Sequence, residues 1–166
     1  VLYTAGIHAP EWITSLLLIK FAQNLCNAFV SNSQIYGYDA KYLYENCSLY
    51  IIPMINPDGV DLVTGAIPKN TEIYNNFKSL AGNFPQIPFP EGWKANFNGV
   101  DLNLQFPAGW YRAKEIKYVQ GYNKPGPRDF VGDGLLTEPE SVALYNFTLN
   151  HIFRLIPVSY THLTLP

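Results

Sequence analysis

Residues 1–12 read VLYTAGIHAPEW, and they place a histidine and a glutamate where a strand-like run turns into a helix-like run. The first seven residues are almost continuously apolar, which is typical of a strand covered on both faces. Pro10 suits the first turn of a helix. His8 would end the strand and Glu11 would lie in the first helical turn, so both side chains can reach one cation. The corner therefore predicts two protein ligands of a zinc site.

Each of these two residues also has an ordinary structural interpretation. A His-x-x-Glu pattern is short and occurs often by chance. His8 could be a strand-end histidine bound to a backbone carbonyl, and Glu11 could be a carboxylate favoured by the positive end of a helix. These alternatives stay open on the two residues alone.

A long helix and a second strand are predicted to follow the corner. Apolar residues at helical spacing between Trp12 and Phe29 predict a helix of about five turns. A second continuous apolar run, Ser48 to Met54, predicts another buried strand. These elements indicate an α/β fold with a central sheet and helices on either side. The helix positions predicted to be buried are Trp12, Leu16, Leu17, Ile19, Phe21, Leu25 and Phe29.

Further along, regular patterns become sparse. Asn56-Pro57-Asp58-Gly59 is a strong turn signal after the second strand. Between Gly65 and Gly121 the clearest pattern is a helix over Thr71 to Leu80, capped by Asn70. A long irregular stretch inside one domain is usually a functional surface.

The last third of the chain predicts one more helix and one more strand. Thr137 would be the N-cap of the helix, with Pro139 in its first turn and Glu140 at the capping-box position. The apolar run Ile152 to Val158 would be a third strand.

The overall composition fits one globular domain and excludes some partners. The chain has 166 residues, is 48% hydrophobic and carries a net charge of -2, so electrostatics gives no reason to expect nucleic acid. Lys20 interrupts the longest apolar stretch, Ile13 to Ala22, and no transmembrane segment is predicted. Cys26 is expected to be a buried free thiol, and a disulfide with Cys47 stays open.

Three further blocks follow the His-x-x-Glu corner in a specific order: residues 53–59, PMINPDG; residues 93–96, WKAN; and residues 99–103, GVDLN. Together they closely resemble the zinc carboxypeptidases from residue 1 to about residue 156. The resemblance implies a mixed, largely parallel sheet flanked by helices, and a zinc-dependent peptidase. It also implies that His8 and Glu11 bind zinc, that Asp101 orients one of these ligands, and that Asn103 binds substrate.

Residue 104 departs from the family pattern. Family carboxypeptidases carry an arginine here that clamps the substrate's terminal carboxylate, and leucine has no group for this. Leu104 and the run NLQFPAGW, residues 103–110, resemble the bacterial branch that cleaves γ-D-glutamyl bonds to diamino acids in peptidoglycan stem peptides. That branch implies a peptide or muropeptide substrate, with the cell envelope or extracellular space favoured over the cytoplasm. The alternatives are a carboxypeptidase whose arginine has moved to Arg112 or Arg128, and a wall-peptide-binding protein without turnover.

The family's remaining catalytic groups are not evident in the sequence. Its third zinc ligand would fall near Tyr160, whereas the histidine in range is His162, and its general-base glutamate would lie beyond the chain end. We therefore predict that residues 1–156 are a partial catalytic domain, incomplete at both ends, and that residues 157–166 are a non-native tail. Two ligands do not suffice for catalytic zinc, so catalysis is predicted for the intact parent protein.

Overall fold

A short parallel sheet and six helices make up the part of the chain described by the computed structural model, residues 1–159. Single 3-10 turns at Ala9–Glu11 and Leu102–Leu104 complete the regular structure. In chain order the elements are β1 (Leu2–Thr4), α1 (Trp12–Val30), β2 (Gln34–Ile35), β3 (Tyr38–Asp39), α2 (Ala40–Asn46), β4 (Tyr50–Ile52), α3 (Pro57–Thr64), α4 (Glu72–Ala81), α5 (Trp110–Val119) and α6 (Pro139–Leu149).

Strand β1 has hydrogen-bonding partners along both of its edges. It pairs in parallel with β4, in a register that sets Thr4 opposite Ile52. Along its other edge the Thr4 amide donates to Pro157 O at 3.1 Å, and Thr4 O accepts from the Ser159 amide at 3.0 Å. Both edges of β1 are therefore occupied.

The sheet is smaller than predicted. Both predicted strands exist, but each spans three residues, and the predicted third strand is reduced within residues 1–159 to one bridge between Val158 and Thr4. The chain therefore has a mixed α/β structure with helices around a two-stranded parallel sheet, and a separate antiparallel pair, β2 with β3.

The first half of helix α1 buries a different face from the predicted one, whereas the predicted positions Phe21, Leu25 and Phe29 do pack against an apolar cluster. Thr14 and Ser15 are buried, while Leu16 and Leu17 are 54% and 66% exposed. The cause is a close approach to the chain after β1, because a Cβ at Gly6 would lie 2.7 Å from Ser15 Oγ. Small side chains fit this contact and leucine does not. The predicted core positions that are exposed instead are Trp12, Leu16, Leu17 and Ile19.

The end of α1 is held by the segment that follows it. Ala28 packs with Ile35 and Ala40 in a small apolar cluster that joins α1 to the β2–β3 hairpin and α2. Cys26 is exposed rather than buried, and both Cys26 and Cys47 are free. The predicted burial of the first thiol is wrong.

The predicted turn at residues 56–59 is the beginning of helix α3. Asn56 caps this helix by accepting a hydrogen bond from the Gly59 amide at 3.1 Å, and Pro57 occupies the first helical position. The Asn56 amide group also donates to Ala95 O at 2.9 Å. Asn-Pro-Asp is equally suited to a turn and to a capped helix, and the contact with Ala95 favours the helix.

Two other helices were predicted with small errors at their caps. Helix α4 is capped by Thr71, whose Oγ1 accepts from the Tyr74 amide at 3.2 Å, and not by Asn70. Helix α6 begins at Pro139 and its cap position is Glu138, which makes no side-chain capping bond. The amide and hydroxyl of Thr137 instead donate to Gln105 Oε1. Helix α5 lies within the stretch that was predicted to be irregular.

The long segment between α4 and α5 is packed onto the helices rather than exposed. Trp93 is fully buried and meets the ring of Phe77 edge to face at 5.0 Å. The same cluster contains Leu62 of α3 and Ala9 beside the strand-helix corner. Burial of one large aromatic ring therefore holds this segment against the corner.

Residues 127–130 support that segment from the other side. Pro127 O accepts from the Lys94 amide at 2.7 Å, and the Asp101 amide donates to Phe130 O at 2.8 Å. Between them Asp129 adopts φ 66° and is buried. Its carboxylate accepts from Lys117 Nζ at 2.7 Å and from Arg128 Nε at 2.8 Å.

One helical stretch, Ala9–Val30, is long and apolar enough to cross a membrane by length and composition. Buried helices of globular proteins and signal sequences meet the same criterion, so this is weak evidence of a membrane location. In this fold the beginning of α1 is tied to the chain after β1, because Thr14 Oγ1 accepts from the Gly6 amide at 3.3 Å.

Replacing Gly6 tests the close contact between the corner and α1. Gly6→Ala is expected to destabilise the protein by about 2 kcal/mol, since alanine disfavours positive φ and its Cβ meets Ser15 Oγ. Urea unfolding measures the change. In a protein that already carries Ser15→Ala, Gly6→Ala should cost less stability, because the Cβ no longer meets a hydroxyl. If Gly6→Ala costs the same with and without Ser15→Ala, the contact does not contribute to the loss.

Replacing Asp129 tests the ion pairs behind the site. Burial opposes ionisation of Asp129, but Lys117 and Arg128 outweigh it and lower its pKa. The stabilisation is therefore complete above the carboxyl's ordinary pKa and is lost as the pH falls through the lower folded value.

Asp129→Asn keeps a residue that tolerates positive φ and removes the charge. We expect a loss of about 1–2 kcal/mol at pH 7, because the half-exposed Arg128 is screened by solvent. Urea unfolding at pH 7 and at pH 3 should show a smaller loss at the lower pH. Exposed Asp133→Asn is the matched control, and a pH-independent loss in the Asp129 variant would contradict the ion-pair explanation.

Candidate metal centre

The corner after β1 is built by a tight backbone. Gly6 has φ 60°, which turns the chain away from the strand, and its carbonyl accepts from the Asn56 amide at 2.9 Å. The Glu11 amide then donates to His8 O at 3.1 Å, closing the 3-10 turn Ala9–Glu11. This turn brings the two predicted ligand side chains onto the same side of the chain.

The His8 ring lies between two carboxylates. Its Nδ1 is 3.0 Å from Glu11 Oε1, and its Nε2 is 3.1 Å from Asp101 Oδ1. All three residues are at least 97% buried. The structure thus brings together the two predicted metal ligands and the residue that was predicted to orient one of them.

The ionisation of His8 and the ionisation of Asp101 depend on each other. Burial disfavours the charged form of His8, but hydrogen bonds to Asp101 and Glu11 outweigh burial and raise the pKa of His8. Burial likewise opposes ionisation of Asp101, whereas the hydrogen bond from His8 and the charges of His8 and Lys94 lower its pKa. An imidazolium can donate from both ring nitrogens, which satisfies both carboxylates at once.

The two ligand side chains fit a metal ion, but only as part of its coordination shell. Glu11 Oε2 is buried and has no hydrogen-bond partner among the described residues, which is costly unless something else binds it. Nδ1 of His8 and the carboxylate of Glu11 face each other, and a cation between them would satisfy both. Within residues 1–159, however, no group of three or more His, Cys, Asp or Glu side chains could hold a metal.

Asp101 is fixed by its own backbone and by a nearby cation. It is the cap residue of the 3-10 turn Leu102–Leu104, and its Oδ1 also accepts from the Asn103 amide at 3.2 Å. Its other oxygen, Oδ2, is 3.6 Å from Lys94 Nζ. Lys94 was not predicted as a site residue, although it lies within the WKAN block.

Asn103 lies on the same 3-10 turn, at the rim of an apolar pocket. The pocket is also lined by Thr4, Ile7, Phe106 and Leu144. Asn103 therefore lies two residues after Asp101 and beside a concave surface, which is the setting expected of a substrate-binding residue. Its role in binding stays a prediction.

The residues that stand at the position of the family arginine, or were predicted to replace it, lie in different surroundings. Leu104 is half-buried. Arg128 is paired with Asp129. Arg112 is exposed on α5.

Gln105 is a fully buried residue that the sequence did not single out. Its Nε2 donates to Val131 O at 2.6 Å and to Gly134 O at 3.1 Å. Its Oε1 accepts from the Thr137 amide at 2.7 Å, and from the Thr137 hydroxyl at 3.1 Å. One amide group thus ties the Asn103 turn to the loop before α6, and no periodicity in the sequence indicates this contact.

The other histidines do not join His8 in the described structure. His151 lies at the end of α6, where its Nδ1 is 2.8 Å from Phe147 O and its ring is next to those of Tyr50 and Phe153. His162 lies outside the described residues.

Comparison with known proteins finds similarity over nearly the whole of this chain. A family model described as zinc carboxypeptidase matches residues 1–161. The chain is 39% identical to gamma-D-glutamyl-L-diamino acid endopeptidase 1 of Lysinibacillus sphaericus over 159 residues, which is 96% of this chain and 38% of that protein. It is 41% identical over 141 residues to the uncharacterized protein YqgT of Bacillus subtilis, 85% of this chain and 36% of that protein.

More distant similarity extends to carboxypeptidases. The chain is 28% identical over 150 residues to carboxypeptidase E of Caenorhabditis elegans, which is 90% of this chain and 27% of that protein. The chain thus spans well under half the length of each of these relatives.

Asp101→Asn tests whether this carboxylate orients His8 for a metal. Loss of the carboxylate that accepts from Nε2 should weaken zinc binding about 10–100-fold, because the ring loses its fixed orientation and some basicity. Competition titration of zinc with the whole protein measures the affinity. Exposed Asp61→Asn should leave it unchanged, and an unaltered affinity in the Asp101 variant would show that His8 needs no such support.

Proposed function

Because the chain belongs to the zinc carboxypeptidase family, we propose that the whole protein is a zinc-dependent metallopeptidase that hydrolyses γ-D-glutamyl bonds to diamino acids in peptidoglycan stem peptides. The named Lysinibacillus relative supports this substrate class. The cell envelope or extracellular space is the proposed location, because stem peptides of the wall are found there. The activity is that of the whole protein, which would supply the third ligand and the general base.

His8 and Glu11 are the residues that would hold zinc. When bound, zinc polarises the scissile carbonyl and makes a bound water nucleophilic near neutral pH. Asp101 keeps the proton on His8 Nε2, since Oδ1 lies 3.1 Å from that nitrogen. The Nδ1 lone pair is thereby directed toward Glu11 and the cation.

Leu104 is the observation that carries the choice of an endopeptidase over a carboxypeptidase. A carboxypeptidase must bind a terminal carboxylate, and arginine does this with two parallel hydrogen bonds. Leu104 follows Asn103 directly on the 3-10 turn and has no donor. Selection of substrate by a free C-terminal charge is therefore not supported at this position.

The surrounding polar residues favour the same choice. Arg128 is oriented by Asp129, to which its Nε donates at 2.8 Å. A moved arginine clamp would have to use this oriented Arg128 or reach from Arg112 on the exposed face of α5. The carboxypeptidase alternative, and a binding protein without turnover, remain as outcomes of the following experiment.

The test compares substrates and one substitution in the whole protein. Wild-type protein is expected to release diamino acid-containing fragments from a γ-D-glutamyl-diamino acid peptide, with chelation abolishing the activity, and to be indifferent to amidation of the C-terminus. Leu104→Arg should add a preference for a free C-terminus of about tenfold or more in kcat/KM, from a charge-assisted hydrogen bond. Leu104→Met keeps the volume and serves as the control.

Two results would count against the proposal. Cleavage of ordinary C-terminal residues with a strict need for a free carboxylate would identify a carboxypeptidase. Binding of the wall peptide without cleavage by zinc-loaded protein would identify a binding protein.

A further inference from the structure

Two buried oxygen atoms at the beginning of α1 lack a hydrogen-bond partner. Glu11 Oε2 and Ser15 Oγ make no hydrogen bond with the described residues. Glu11 is 2% exposed and Ser15 is 1% exposed, so bulk water does not reach either side chain. A buried polar group without a partner is unfavourable, which indicates that each oxygen has a function in binding.

Packing explains a small side chain at position 15 but not its hydroxyl. A Cβ at Gly6 would lie 2.7 Å from Ser15 Oγ, and this close approach excludes large side chains. Alanine would fit the same contact, has the higher helix propensity and buries no polar atom. The hydroxyl of Ser15 therefore carries a desolvation cost that the contact with Gly6 does not offset.

Ser15 and Glu11 lie one helical turn apart. Side chains four residues apart share one face of a helix and tilt toward its N-terminus, so Ser15 lies over the turn that contains Glu11. The backbone of this turn is fixed, because Thr14 Oγ1 donates to Glu11 O at 2.6 Å and accepts from the Gly6 amide at 3.3 Å. Rotation about χ1 of Ser15 moves Oγ between staggered positions without a backbone shift.

The two oxygens of the Glu11 carboxylate have different surroundings. Oε1 lies 3.0 Å from His8 Nδ1, on the side where a cation would bind. Oε2 is left for a second partner, and a carboxylate oxygen accepts what a hydroxyl can donate. Among residues 1–159 the other buried side-chain oxygen without a partner is Thr4 Oγ1. Thr4 lines the apolar pocket beside Asn103, which leaves Ser15 as the donor on the helix.

A carboxylate that binds a metal ion is usually held in place by a further hydrogen bond. Asp101 has this function for His8, at 3.1 Å from Nε2, whereas Oε2 of Glu11 has no such donor among the described residues. We propose that Ser15 is the positioning residue of Glu11 and that its hydroxyl donates to Oε2 in the zinc-loaded protein. The inference rests on the proposed function, which assigns zinc to His8 and Glu11.

Zinc affinity and stability together separate this role from packing. In the whole protein, Ser15→Ala should weaken zinc binding about tenfold in a competition titration, as expected when a metal ligand loses its supporting hydrogen bond. Urea unfolding of the metal-free protein should show no loss of stability, because the hydroxyl has no partner among the described residues. Ser79→Ala, on the exposed side of α4, is the control and should leave the zinc affinity unchanged.

A spectroscopic measurement reports on the orientation of Glu11 itself. Cobalt(II) can take the place of zinc, and its visible absorption depends on the geometry of its ligands. The cobalt-loaded whole protein should show shifted absorption bands in Ser15→Ala and unshifted bands in Ser79→Ala. A change in stability alone would not move these bands.

The possible failures are distinguishable. If the wild-type protein binds zinc and cleaves its substrate while Ser15→Ala alters neither zinc affinity nor the cobalt bands, the inference is wrong and the proposed function stands. If Ser15→Ala destabilises the metal-free protein without moving the cobalt bands, the hydroxyl has a structural role and the inference is again wrong. If the wild-type protein does not bind zinc, or His8→Ala leaves its affinity unchanged, the proposed function and the inference fall together.

Discussion

The contact between His8 and Asp101 joins two parts of the chain that are 93 residues apart in sequence, and much of the surrounding structure serves it. Asp101 is 1% exposed, and a buried carboxylate is costly unless charged or polar partners compensate for lost hydration. His8, the Asn103 amide and Lys94 supply that compensation. For these partners to meet, the loop that carries Asp101 must lie against the strand-helix corner.

The main chain satisfies this requirement through sequence-distant hydrogen bonds rather than through a larger sheet. Lys94 connects the corner to residues 127–130, and the Asp101 amide is bound to Phe130 O. Gln105 then fixes the other end of the Asn103 turn to the loop before α6. Irregular backbone can be buried only where its polar groups are paired, and side-chain amides provide that pairing here.

The strand-helix corner could be predicted from sequence because its determinants are local. An apolar run, a proline at the start of the helix and a histidine three residues before a glutamate all lie within residues 1–12. Asp101 and Asn103 required resemblance to a family, since nothing local links them to His8. The contribution of Lys94 was missed because its partner is brought close only by the tertiary structure.

The errors in the fold have equally specific causes. The face of α1 was misassigned because periodicity counts large apolar residues, whereas the close approach to Gly6 selects Ser15. Thr137 has the sequence features of a helix cap, but its amide and hydroxyl are bound by the buried Gln105. Distances between charged groups add information that motifs lack: Asp129 binds its cations at 2.7 and 2.8 Å, and Asp101 holds Lys94 at 3.6 Å. The tight pairs join α5 and residues 127–130 behind the site, whereas the loose pair adds to the charge compensation of the buried Asp101.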